Sequence, residues 1–267
     1  MKKMLIMAKS LGGGGTEVAL VEFINHLDLD KFNVTLVLLD HDTEYEYRLK
    51  REVKIEQISF KFKWLKYLIS MDSKLFRVLK KIKINKYFNY YGLFYKYIEN
   101  EFSGYDVAID FYNYGYFLNG FLAEEINART KAFWIHDEKM DWIQNVERYF
   151  NLYDKVYGVG ESVVSEFNIR YPSVSYKSKV FYNFYDVEKI RRLSKETVDI
   201  KLGNKFTIVT VGRLHEQKGI DIAIEVADQL KQQGIDFIWY IIGDGPQKNK
   251  LEKLIQEKDV GNCVSTP

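Results

Sequence analysis

The chain has 267 residues, of which 46% are hydrophobic and 28% charged, and its net charge is +2. That composition fits a globular protein with apolar side chains for one large core or two smaller ones, and it excludes a disordered or collagen-like chain. A lone cysteine, Cys263, rules out an intrachain disulfide and suits a reducing compartment; no uncharged stretch approaches the roughly 18 residues of a spanning helix.

In chain order, residues 3–8 form a short apolar run and residues 33–39 another, and both read as buried parallel strands. Between them Leu20, Phe23, Ile24 and Leu27 recur at helical spacing, so the chain opens as strand, glycine loop, helix, strand. The glycines at 12–15 and Glu17 break the first apolar run too early for a secretory signal, and a cytoplasmic protein is expected. Further strands are predicted at 105–111, 131–135, 155–159 and 179–182, each followed by helical or loop-like sequence. Residues 186–205 are polar and contain the turn signal Gly203-Asn204, which sets a linker there between a first domain, 1–185, and a second, 206–267. The second domain shows strands at 206–211 and 237–242, with helices carrying Ile220, Ile224, Ala227 and Leu251, Leu254, Ile255. Two strands are fewer than the four to six of a typical sheet. The fold class expected is therefore α/β with two Rossmann-like parallel sheets, the second incomplete.

The charge is segregated. Residues 48–98 hold 14 Lys and Arg against 3 Asp and Glu, a net +11, and the rest of the chain is −9. The same stretch carries 12 aromatic residues, among them Phe60, Phe62, Trp64, Tyr67, Tyr90, Tyr91 and Phe94. Rings interleaved with lysines suit the interface of an anionic membrane, whose surface attracts each basic residue by on the order of 1 kcal/mol. The blander alternative packs the rings against the first domain and leaves the lysines in water. No nucleic-acid motif accompanies the segment, so no nucleic-acid partner is expected.

Two sets of loops carry candidate chemistry. Gly12-Gly13-Gly14-Gly15-Thr16-Glu17 joins a strand to a helix, where uncovered amides and the helix dipole attract an anion. A dinucleotide fingerprint would need glycine where Glu17 stands, and the Gly-Lys-Ser/Thr of a P-loop is missing. Asp40 follows the second strand, as a dehydrogenase's ribose-binding acid would, but acids are common at strand ends. The second set lies farther on. Gly212-Arg213-Leu214-His215-Glu216-Gln217-Lys218-Gly219 leaves one strand, and Gly243-Asp244-Gly245-Pro246 leaves the next. Arg213 offers a planar fork and Lys218 a mobile charge, a pair suited to a departing diphosphate. Two neighbouring strand ends opened by glycine suggest a ligand crevice.

These segments, with Gly160-Glu161-Ser162-Val163-Val164-Ser165-Glu166-Phe167 and Phe181-Tyr182-Asn183-Phe184-Tyr185-Asp186, resemble in order the motifs of family 4 glycosyltransferases, also described as group 1. The resemblance implies the GT-B fold, a nucleotide-diphosphate-sugar donor, a retaining outcome, and neither a metal nor another cofactor. By position it makes Arg213, Lys218, Gly14 and Gly15 ligands of the donor diphosphate, with Gly212, Gly243 and Gly245 as backbone of the donor cleft. It also sets His136, in Trp134-Ile135-His136-Asp137, beside the transferring sugar. Asp137 and Glu138 offer an alternative acid and base for hydrolysis, but adjacent positions seldom flank a bond from both sides. The implied acceptor is a glycan or lipid-linked glycan of the cell surface, met at the inner face of the membrane. Past Val264 the family's glutamate-rich loop does not follow, so the chain alone is expected to be a weak or inactive catalyst. A non-catalytic nucleotide- or partner-binding module derived from the same fold is the alternative.

Overall fold

The computed structural model describes residues 1–12, 14–49, 53–70, 91–112, 117–197 and 205–265. The chain divides into two compact units, Met1–Ile190 and Arg191–Pro267.

The first unit is built on a seven-stranded sheet, with β1 (Lys2–Ala8), β2 (Phe32–Leu38), β3 (Lys54–Gln57), β4 (Tyr105–Asp110), β5 (Ala128–Ile135), β6 (Lys155–Gly158) and β7 (Ser178–Val180) in the order β3-β2-β1-β4-β5-β6-β7. Every pairing is parallel. β1 is central, and Leu5, Ile6 and Met7 are fully buried, because a parallel strand covered on both faces must be apolar on both. Its side chains alternate between two cores. Leu5 and Met7 join Phe117, Phe121, Phe133 and Phe167 on one face, whereas Met4, Ile6 and Ala8 join Leu20, Phe23, Phe111 and Trp134 on the other. Helix α1 (Gly15–Asn25) covers the second face, burying Leu20, Val21, Phe23 and Ile24. Phe117, Phe121 and Phe167 on the first face come from α3 (Phe117–Glu125) and α4 (Glu161–Arg170). The short helix α2 (Lys63–Ser70) precedes them in the chain and sends Leu65 into that same core.

β3 was not expected from sequence. It is a four-residue edge strand, Lys-Ile-Glu-Gln, inside the basic segment, and its charges blunt an edge that carries no further strand. After β7 the chain is pinned back onto α1. Phe181 packs among Phe23, Trp134 and Tyr157, and the Phe184 ring stacks on His26 at 4.8 Å and 8°. Residues 187–193, expected to lie in a polar linker, form helix α5 (Val187–Leu193), in which no residue is buried.

The second unit holds β8 (Phe206–Val211), β9 (Phe237–Ile242) and the two-residue β10 (Val264–Ser265), parallel and in the order β10-β9-β8. Helix α6 (Ile220–Gln232) buries Ile220, Ile224 and Ala227, and α7 (Lys248–Glu257) buries Leu251 and Ile255. These meet Phe237 and Ile241 in a third core. No helix among the described residues is long and apolar enough to cross a membrane.

Candidate functional site

In the first unit the strand order reverses direction between β1 and β4, so the chain leaves these neighbours toward opposite faces. In open α/β sheets ligands bind outside the carboxyl ends of the strands at such a switch point. The glycine loop follows β1 there, and His136 directly follows β5, the next strand over.

The loop after β1 is tied to the loop after β2. Asp40 N donates to Lys9 O (2.7 Å), Leu11 N to Asp42 O (2.8 Å) and Tyr45 N to Leu11 O (2.8 Å). A side chain at Gly12 would meet the Asp42 carboxylate, and one at Gly14 the Glu17 carboxylate. Each glycine thus leaves room for the flexible end of a neighbouring carboxylate side chain. Gly15 differs, since nothing lies within 4 Å of where its Cβ would stand. It is the first residue of α1, and a helix start attracts anions. Gly13 lies outside the described residues.

His136 rides on an aromatic stack. Its ring centroid is 5.0 Å from Phe111, which lies 5.4 Å from both Trp134 and Phe23. His136 Nε2 is 2.6 Å from the Phe111 carbonyl oxygen. A carbonyl only accepts, so the ring carries its proton on Nε2 and offers Nδ1 as an acceptor. Burial lowers its pKa from 6.5 to about 4, against a smaller upward pull from the Phe111 carbonyl. A neutral imidazole at pH 7 follows. Asp137, the hydrolytic alternative, accepts the Lys139 amide at 2.9 Å through Oδ1 and so shapes its own turn. Among the described residues no group of three or more His, Cys, Asp and Glu is arranged to hold a metal ion.

Sequence reasoning missed the polar lock beneath this edge. Asp110 is 1% exposed at the end of β4 and accepts from Asn119 Nδ2 at 2.9 Å, while Tyr153 donates to the Asn119 carbonyl at 2.7 Å. The available signal was an acid ending an otherwise apolar strand run, Val107-Ala108-Ile109-Asp110.

The second unit's loops interlock through backbone. Gly212 N donates to Ile242 O (3.0 Å), Leu214 N to Asp244 O (2.9 Å) and Gln247 N to Leu214 O (3.1 Å). A side chain at Gly243 would collide with the Gly212 carbonyl, and one at Gly245 with the backbone of Leu214. Leu214, 1% exposed, is the loop's anchor in the core. A single turn follows, capped by His215 Nδ1 accepting from Gln217 N at 3.3 Å. Gly219 at φ 61° then starts α6 in the left-handed region that favours glycine. Arg213 and Lys218 are both exposed on this fixed frame. Gly212 leaves room beside the Lys218 stem, whose Cγ and Cδ lie about 4 Å from where its Cβ would stand.

Parallel sheets with glycine loops at their carboxyl ends define the class of the nucleotide-binding α/β enzymes. Residues 194–266 match the model of the family described as glycosyl transferases group 1. An uncharacterized glycosyltransferase of Methanocaldococcus jannaschii is 32% identical over 98 residues, 35% of this chain and 24% of that protein. A putative colanic acid biosynthesis glycosyltransferase of Escherichia coli K12 is 42% identical over 60 residues, 22% of this chain and 15% of that protein. The crystal structure of Anabaena HepE in complex with UDP superposes with a TM-score of 0.61 at 18% identity, over 99% of this chain and 68% of HepE. Residues 194–266 therefore carry the group 1 glycosyltransferase signature, and the chain has the GT-B type of fold. Its matches span about a quarter or less of the length of these two curated relatives.

Proposed function

We propose that this protein takes part in transferring a sugar from a nucleotide-diphosphate-sugar to a glycan or lipid-linked acceptor in surface polysaccharide synthesis, with retention and without a metal. The observation that carries the reading is the pair of interlocked glycine loops after β8 and β9, which fixes the backbone from which Arg213 and Lys218 project. Complexation of HepE with UDP and the colanic acid relative support donor and pathway class. In this reading the acceptor hydroxyl oxygen bonds to the anomeric carbon as the sugar–phosphate bond breaks, and its proton passes to the departing phosphate oxygen. The diphosphate leaves with the bonding electrons, and Arg213 and Lys218 meet its growing charge, an effect worth several kcal/mol when such donors are preorganised. His136, neutral and with Nδ1 open, accepts a hydrogen bond from a sugar hydroxyl. UDP titrated into the 15N-labelled chain is expected to shift the amides of 212–219 and 243–245, and Arg213→Ala or Lys218→Ala to weaken binding about tenfold, roughly 1.4 kcal/mol. Unmoved amides in the unaltered protein remove the reading.

One alternative is a nucleotide-binding module without transfer activity. Labelled product from UDP- or GDP-sugars selects the enzyme, and UDP binding without product selects the module.

We also propose that the protein works at the inner face of an anionic membrane through its basic aromatic segment, of which 50–52 and 71–90 lie outside the described residues. Phe62 and Trp64 are 42% and 58% exposed and stack at 6.2 Å, flanked by the exposed Lys61 and Lys63. Lys66 is different, since burial lowers its pKa. Sedimentation with phosphatidylglycerol vesicles should show binding that fades with salt; equal, salt-insensitive binding to neutral vesicles contradicts the idea.

A further inference from the structure

We infer that Asp110 is a positioning residue for His136, acting through Asn119 and the Phe111 carbonyl. The inference rests on the proposed role of His136 for its functional meaning, but not for its structural content.

Asp110 is the last residue of β4, and Asn119 lies in the first turn of α3, which begins at Phe117. Their side-chain hydrogen bond, 2.9 Å between two residues that are each 1% exposed, closes the chain's exit from β4 against its return in α3. Tyr153, also 1% exposed, braces the helix side of this closure through the Asn119 carbonyl. Phe111 is the first residue past the lock. Its amide is held by Met7 O at 3.0 Å, continuing the β1 pairing. Its carbonyl, the acceptor for His136 Nε2, points where the locked exit sends it. Taking a carboxylate out of water is costly. Asp110 is 1% exposed, and a loop-closing lock directly under the imidazole's partner gives that cost a use.

The alternative is that Asp110 merely satisfies Asn119 and stabilises the unit. The two differ in what happens to His136. 15N ring spectra of the 267-residue chain report the tautomer and pKa of each of its four histidines. In the unaltered protein His136 should show the Nε2–H tautomer and titrate near 4. Asp110→Ala should release the ring, giving mixed tautomers and a pKa moved up by at least one unit toward 6.5. Asp110→Asn keeps an acceptor for Asn119 Nδ2 and should restore the unaltered spectrum. An unchanged His136 in folded Asp110→Ala protein overturns the inference. Should Asp110→Ala not fold, Asn119→Ser shortens the donor while leaving the carboxylate in place. The same release is expected there, and an unchanged ring again overturns the inference. The functional reading fails separately: if these spectra behave as expected but His136→Ala transfers sugar at the unaltered rate, the lock stands and the catalytic role of His136 falls.

Discussion

The two edges that hold the candidate residues are built on opposite principles. At the switch point of the first unit the candidate side chain is enclosed, neutral and fixed by a carbonyl, and the surrounding aromatics set its properties. At the loops of the second unit the candidate cations are exposed, and the backbone beneath them is fixed. Desolvation tunes a titratable group only where protein replaces water, whereas an arginine or lysine keeps its charge in the open and needs only a rigid base. Substitutions should therefore separate the units: stability ought to respond at the glycines of one and at the histidine of the other.

The largest effect is expected at Gly243 and Gly245. Alanine at either site must displace backbone atoms of Gly212 or Leu214, at a cost of about 3 kcal/mol. Denaturation followed by fluorescence can assign that loss, because Trp239 belongs to the second unit while Trp64, Trp134 and Trp142 belong to the first. A loss appearing in the first unit would break the comparison.

Next comes pH. The folded His136 titrates near 4 and the unfolded one near 6.5, so the unfolded chain takes up a proton that the folded unit refuses. This contribution to stability is full above about pH 6.5 and declines as the pH falls toward 4, where at most about 3 kcal/mol has gone. His136→Phe should flatten that part of the first unit's stability profile, measured by urea melts between pH 4 and 7. A profile unaffected by the substitution would show that other groups set the acid limb.

The smallest effects should come from Gly15, Arg213 and Lys218. Gly15→Ala meets open space at a helix start and should leave stability within about 1 kcal/mol, on the stabilising side. Arg213→Ala and Lys218→Ala should change it by less than about 0.5 kcal/mol. Thermal melts check all three. A large loss at any of them would mean that the side chain serves the fold, contrary to its exposed setting.

Much of this was legible in the sequence, and the reason is chemical. Strands buried on both faces leave unbroken apolar runs, as at Leu5-Ile6-Met7 and Leu36-Val37-Leu38, and glycines at 212, 243 and 245 mark places where backbones touch. β3 was hidden because an edge strand of Lys54, Ile55, Glu56 and Gln57 has the composition of a loop. Helix α5 was hidden because it buries nothing. The acid ending the apolar run at Asp110 was a signal, but its partner was not, since Asn119 sits nine positions on, beyond a turn whose course the residues do not announce. The glycine string at 12–15 suggested one uniform purpose, yet Gly12 and Gly14 answer to neighbouring carboxylates and Gly15 to nothing in the protein.

The stacking of Phe184 on His26, with Phe181 seated against Phe23, gives the departing chain two rivets on a single helix. That helix begins at Gly15. A pull on the polypeptide beyond Phe184 is thus passed along a stiff rod to the glycine loop that follows β1.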